Sequence, residues 1–372
     1  MISFVKDIDH FKFIWSHGDV KIDTWVSSLH YRLTVALLLV LFGIACNQQY
    51  FGEPIQCVND KNSNLPVKVM NNYCFVTSTY TIIKSTENSH QSSNLPPDSE
   101  IPDKSETRLH FYYQWVPLML LLQAVLFRLP YIGWETWEGG LLRGLTTNIN
   151  DKQKLRILAK YIVQRINTHQ VWLSGFILCE MFTFFNLVGV IMMTHYLLGG
   201  YFLAYGVELL RFSLGPHFES IGLNSLLSNG KNPAETLFPK LTKCTLQRYG
   251  PSGGIQNHDF LCVMTLNVVN EKIFAVLWFW YLLLLIVNGF NLAWRFVSYL
   301  TVVSCSGSAS NAKNRIMLFA SCLPSIKDPN FYQFVSKKFF YSDWMVLSFL
   351  QQNLPTTLFL QLTREVTALC KK

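Results

Sequence analysis

The stretch from Tyr112 to Leu129, YYQWVPLMLLLQAVLFRL, constrains the rest of this chain more than any other. From Trp115 onward it is almost unbroken apolar sequence, long enough with its neighbours to cross a bilayer as a helix. Pro117 falls in the first turn, where its missing N–H is harmless and its fixed φ favours initiation. Tyr112, Tyr113 and Trp115 carry rings with a polar handle, the residues that collect at a membrane–water interface. Arg128 can snorkel at the other end. A core helix of a soluble protein would give the same single signal. Here the signal occurs four times.

The other runs are Leu33–Cys46, Phe176–Leu198 and Ile273–Phe290, the last containing Trp278-Phe279-Trp280. Half of the residues are apolar and only 15% are charged, well below the soluble average of about 25%. This predicts a polytopic, helical membrane protein. The net charge of +8 is dispersed, and no nucleic-acid motif accompanies it, so no nucleic-acid partner is expected. The opening residues are charged and lack the apolar core of a secretion signal.

The expected organisation follows the runs: a polar N-terminal segment 1–28, then a first span 29–46 and a loop 47–110. The second span 111–130 leads to a basic loop 131–172, the third span 173–198 and a second polar loop 199–270. The fourth span 271–294 and a tail 295–372 complete it. In the N-terminal segment Phe4, Ile8, Phe11 and Trp15 share one helical face, with Lys6 and His10 pointing away from it and Ser3 nearby. Such a segment can lie on the membrane surface or fold into a channel mouth. Helical patterns recur at Leu155, Leu158, Ile162 and Ile166, around Trp344–Leu350, and at Leu358, Leu362, Val366 and Leu369. The stretch Asn88 to Pro102 is rich in Ser, Asn and Pro and should be mobile.

Charge sets the orientation. With Arg32 and Arg128 counted with the regions they adjoin, the N-terminal segment, middle loop and tail carry twenty Lys and Arg against ten acids, whereas the other two loops, taken through Lys272, carry eleven against twelve. Both termini and the middle loop are therefore expected in the cytoplasm. Of the nine cysteines, Cys46 and Cys179 lie in spans, and Cys305, Cys322 and Cys370 in the tail. The remaining four, Cys57, Cys74, Cys244 and Cys262, lie outside, two per loop. In an oxidising compartment they read as disulfides, with three possible connectivities. A zinc site is disfavoured, because no close C-x2-C pair or neighbouring His offers ligand spacing.

Catalytic chemistry finds no footing. The nucleotide-binding, metalloprotease and nucleophile-elbow motifs are absent from the sequence, so neither an enzyme nor a cofactor is expected. Gly139-Gly140, Gly199-Gly200 and Gly253-Gly254 read as turns. Glu180, the one acid well inside a span, serves either packing or an ion path. His195 reads as interfacial. The spans carry no cluster of charges of the kind a narrow filter uses.

Several motifs in register resemble the innexins, the gap-junction proteins of invertebrates, and most closely those of insects. The strongest is Tyr112-Tyr113-Gln114-Trp115-Val116-Pro117. Others are Leu29-His30-Tyr31, Tyr50 through Cys57 (YFGEPIQC), Trp137-Glu138-Gly139-Gly140, Phe238-Pro239-Lys240 through Lys243-Cys244, and Leu266 through Ile273 (LNVVNEKI) running into Leu277-Trp278-Phe279-Trp280. The match spans about 25–300 and is thinner in the tail, at Asp343-Trp344.

The resemblance implies an all-α membrane protein: a four-helix subunit with disulfide-linked extracellular loops and a helical cytoplasmic dome. It implies homo-oligomers, octameric in related members, which combine in some cases with other innexins. These dock with a hemichannel on the neighbouring cell through the Cys-bearing loops. It maps disulfides as Cys57–Cys262 and Cys74–Cys244, and places the N-terminal segment at the pore entrance, with Met1, Ser3, Lys6 and His10 as pore-lining candidates. Membrane lipid is the remaining partner. A hemichannel that never docks and a non-conducting adhesion protein are the competing readings. The absence of any N-x-[ST] sequon, which leaves no N-glycan to cover the loops, favours docking.

Overall fold

The structure is a computed structural model describing residues 20–58, 66–84, 105–147, 152–214, 237–249, 252–304, 331 and 338–370. Met1, Ser3, Lys6, His10, the Phe4-to-Trp15 stripe and the stretch 88–102 lie outside the described residues, as do Cys305 and Cys322.

Four helices have the length and hydropathy to cross a membrane: α1 (Trp25–Phe51), α3 (Val116–Glu138), α6 (Gln170–Leu197) and α8 (Thr265–Ser304). The four-span helical class expected from the apolar runs is the class observed. The helices outrun those runs because polar residues continue them at both ends. α3 passes Arg128 and absorbs Pro130 to end at Glu138. Arg128 is therefore not a terminal anchor: its guanidinium lies 5.0 Å from the Tyr31 ring centroid and 4.7 Å from that of Tyr131.

The described residues divide into two units, with boundaries inside the four long helices. One unit holds Leu38–Gln123 and Ile191–Leu282. Its polar loops, expected as excursions held only by cystines, form a five-stranded antiparallel sheet: β1 (Gln56–Val58), β2 (Thr79–Lys84), β3 (Ser105–His110), β4 (Leu241–Tyr249) and β5 (Ile255–Val263). The strand order is β1-β5-β4-β2-β3. β2 (TYTIIK) is rich in β-branched and aromatic residues, which suit a pleated surface. A helix, α2 (Val67–Thr77), buries Met70 and Cys74, and α7 (Phe202–Leu214) follows α6. Within this unit Gln123 donates to Thr194 Oγ1 (2.8 Å) and accepts from Tyr281 Oη (2.7 Å), tying α3, α6 and α8 together with no unsatisfied group at Gln123.

The other unit comprises the chain up to Leu37, Ala124–Val190, and Leu283 onward. Besides its parts of the spans it contains α4 (Leu141–Thr146), α5 (Lys152–Gln164), α9 (Tyr341–Asn353) and α10 (Thr356–Cys370). α5 buries Leu155, Leu158, Ala159 and Ile162, and α10 packs beside it with Phe359, Leu362 and Val366 inward. The aromatic centre of this core is Trp134 against Trp172 (5.3 Å) and Phe176 (5.0 Å), with Phe349 closing on Trp172 at 5.8 Å. Gly139 and Gly140 adopt φ of 62° and 80°, left-handed values that favour glycine. The turn they make lets Glu138 receive the Gly140 and Leu142 N–H groups, capping α4.

Candidate functional site

The matched motifs of the first unit converge where the sheet meets the spans. Tyr112 and Tyr113 open α3 with a tight turn. Tyr112 donates to Asn267 Oδ1 (3.1 Å), and Asn267 donates in turn to the Pro239 carbonyl (2.8 Å). Tyr113 and Gln114 both donate to the Phe75 carbonyl at the end of α2, at 3.2 and 2.6 Å. The Leu266 N–H reaches the Pro54 carbonyl (3.1 Å), and Asn71 Oδ1 accepts from the Cys57 N–H (3.0 Å). Segments read as separate fingerprints are thus one knot of side chain-to-backbone bonds.

Two of the three rings expected to present themselves at an interface are enclosed by protein. Tyr113 is wholly buried and Tyr112 nearly so, while Trp115 is exposed. The physical reason is the partner of each hydroxyl: a buried Tyr must bond its O–H, and here both do so inside the protein. Burial accordingly pushes the Tyr113 hydroxyl up to about 12 and that of Tyr112 higher still.

The four loop cysteines form two disulfides, Cys57–Cys262 and Cys74–Cys244. Cys57 and Cys262 are directly opposed across β1 and β5, and the second bond fastens α2 to β4. Their loops enclose 205 and 170 residues. Covalent closure of so long a loop removes much disorder from an unfolded chain, by about 5 kcal/mol for the first bond in the chain-entropy treatment and by less for the second, whose ends the first already holds near each other; both are lower here because lipid restrains the spans. The Cys57, Cys74 and Cys262 sulfurs lie within 4.8 Å of one another, the one grouping among the described residues with metal-ligand proximity. All three are oxidised in disulfides, so no thiolate remains to bind a metal.

At the end of β3, His110 Nε2 lies 2.8 Å from Thr81 Oγ1. Burial, with the Arg108 guanidinium adding to it, lowers the imidazole from about 6.5 to about 4. Glu271 carries the main charge at the entry to α8, paired with Lys272 (2.8 Å) and Lys240 (3.5 Å).

In the second unit Glu180 is 9% exposed and faces Arg295: Nε–Oε2 is 3.3 Å and Asn291 Nδ2 donates to Oε1 at 3.1 Å. The acid flagged inside a span is a tie between α6 and α8. Arg295, which sequence reasoning passed over, also donates to Tyr341 Oη at 3.5 Å and so reaches α9. Asp343, in the motif matched in the tail, accepts from the Asn167 N–H (3.1 and 3.2 Å) and faces His169 Nδ1 at 3.4 Å. The Asn353 amide grips Lys21 at two points, accepting from its N–H at 2.6 Å and donating to its carbonyl at 2.8 Å. Trp134 Nε1 donates to the next carbonyl, that of Ile22, at 2.7 Å.

Comparison with known proteins agrees with this arrangement. The innexin family profile matches residues 23–369. The chain is 36% identical to innexin inx2 of Drosophila melanogaster over 286 residues, 74% of each chain. It is 34% identical to innexin inx7 of the same species, over 91% of this chain and 79% of that one. With innexin inx2 of Schistocerca americana the identity is 32% over 93% of both.

Proposed function

This chain belongs to the innexin family and is a gap-junction channel subunit, and we propose that its disulfide-fastened sheet is the part that meets the opposite cell. The observation that carries the proposal is the pair of bonds Cys57–Cys262 and Cys74–Cys244, each joining one loop to the other, the first across β1 and β5 and the second from α2 to β4. Insertion of four apolar helices needs no such fastening; a surface that must fit a partner does.

The excess of basic residues in the N-terminal segment, middle loop and tail puts those regions in the cytoplasm and the sheet outside. The four spans of one chain are too apolar to enclose water, so the pore runs between copies arranged in a ring by heterologous contacts. An octamer is the ring size the resemblance supports, and mixed rings with other innexins are its natural extension. The two-point grip of Asn353 on Lys21 fixes where the N-terminal segment departs. The resemblance supports the assignment of Met1, Ser3, Lys6 and His10 to the pore mouth.

Paired-cell electrophysiology tests the docking role. Cells that both express the protein should couple, and Cys74→Ser should abolish coupling while the protein still reaches the surface. Coupling that survives loss of either disulfide would overturn the role given to the sheet. Conductance of single membranes with none between paired cells would replace docking by an undocked hemichannel.

A further inference from the structure

α7 (Phe202–Leu214) belongs to a loop expected in water, yet its contacts place it at the membrane edge. α6 ends at Leu197, and Gly199 and Gly200, with φ of 64° and 85°, turn the chain so that α7 starts only five residues on. The helix then packs on α8. Tyr205 Oη donates to the Glu271 carbonyl (3.0 Å), the Phe202 and Phe274 rings are 6.3 Å apart, and Gly206 lies so close to Trp278 that a Cβ there would overlap the indole. Glu271 marks the water level, because the side chains of its partners Lys240 and Lys272 are 50% and 73% exposed. Trp278 is seven residues further into this spanning helix, about 10 Å at the α-helical rise. α7 is thus held within about 10 Å of the charged level, the depth at which amphipathic helices settle in the headgroup–acyl boundary. At the same level α8 itself presents Val276 and Phe279 outward.

The faces of α7 sort in the same sense. Phe202, Tyr205 and Gly206 are buried against the protein. At helical spacing, Leu203, Val207 and Leu210 form one flank, and Ala204, Glu208 and Arg211 the other. None of these six is buried. A helix surrounded by water on both sides of its packed face would carry polar residues on both flanks; here one flank is wholly apolar and both charges stand on the other. We propose that α7 is an interfacial helix, seated in the leaflet on the sheet side of the membrane. Leu203, Val207 and Leu210 enter phospholipid at the headgroup–acyl boundary, while Glu208 and Arg211 face the headgroups and water. The proposal rests on α6 and α8 crossing the membrane. Docking and conduction can fail without touching it, since it concerns single, undocked rings.

The test places a fluorescent amino acid at Leu203, Val207 or Arg211 of the full-length protein in phosphatidylcholine nanodiscs. Its quenching is read with phosphatidylcholines that carry a nitroxide on the headgroup, near the start of the acyl chain, or near its end. Probes at Leu203 and Val207 should lose most of their emission to the nitroxide near the start of the chain and little to the one near its end. The probe at Arg211 should respond most to the headgroup nitroxide, and one at Gln247, exposed on β4, to none. If the probe at Leu203 prevents assembly, Leu210 takes its place. Emission from Leu203 and Val207 positions as insensitive as that from Gln247 would put α7 in water and overturn the proposal. Strongest quenching from the far end of the chain would make α7 a deep re-entrant segment and overturn it as well. So would a benzophenone amino acid at Leu203 that cross-links to a second copy and not to lipid, which would give this flank to the contact between subunits.

Discussion

Glu180 and Arg295 show what single residues contribute and what a sequence conceals about them. The acid stands out in an apolar run, and intramembrane acids are rare enough to demand a role. Its partner is 115 positions away, near the end of a span, where an arginine looks like an ordinary interfacial anchor. Removing one partner leaves the other buried and uncompensated, at a cost of about 3–5 kcal/mol, whereas replacing both by apolar residues is close to neutral. Glu180→Leu should therefore lower the melting temperature of the purified oligomer in detergent, and Glu180→Leu with Arg295→Met should recover most of the loss. A double variant no better than the single one would show that the pair is not the unit that matters. Gln123 was invisible for a related reason: one amide in a run of leucines gives no clue that Thr194 and Tyr281 await it.

At the level of elements, the helices were legible and the sheet was not. Eighteen or more apolar residues announce a span without reference to anything else. β1 has three residues and β2 and β3 six each, and their stability comes from partners far along the chain, so no local pattern names them. The same non-local pairing explains Tyr112 and Tyr113, whose buried hydroxyls depend on segments more than thirty residues away. The sheet also carries a pH dependence. His110, at the end of β3, titrates at about 4 when folded against about 6.5 when free. The unfolded chain thus binds the proton more readily than the folded one between these values. The stability this histidine contributes is complete above about pH 6.5 and declines as pH falls toward 4. Hydrogen exchange at β2 and β3 should quicken across that window in the native protein, and less so in His110→Gln; identical acid profiles would remove His110 as the cause.

For the whole molecule, the loop-and-tail core and the spans follow from patterns that repeat at helical spacing, as with Leu155, Leu158 and Ile162. The candidate site was legible only in part. Its cysteines could be located by compartment and counting, but their pairing came from the resemblance, since spacing alone left three connectivities. The proposed pore mouth belongs to this scale as well, because a lining is a property of the ring. Deleting residues 2–15 should change unitary conductance or gating while rings still assemble, because the grip on Lys21 by Asn353 and on Ile22 by Trp134 lies beyond the deletion. Unaltered channel records from assembled rings would make the segment a surface anchor instead.

The Cys57–Cys262 bond has a mechanical meaning. Cys57 lies six positions beyond the end of α1 at Phe51, and Cys262 three before α8 begins at Thr265. Tension applied to the sheet, as when two joined cells are dragged apart, meets this cystine after very little slack on either side. Hydrogen bonds between β1 and β5 are thereby shielded from shear. The load passes through covalent bonds into α1 and α8, so the β1–β5 edge of the sheet is held at its base by the chain itself and not by hydrogen bonds alone.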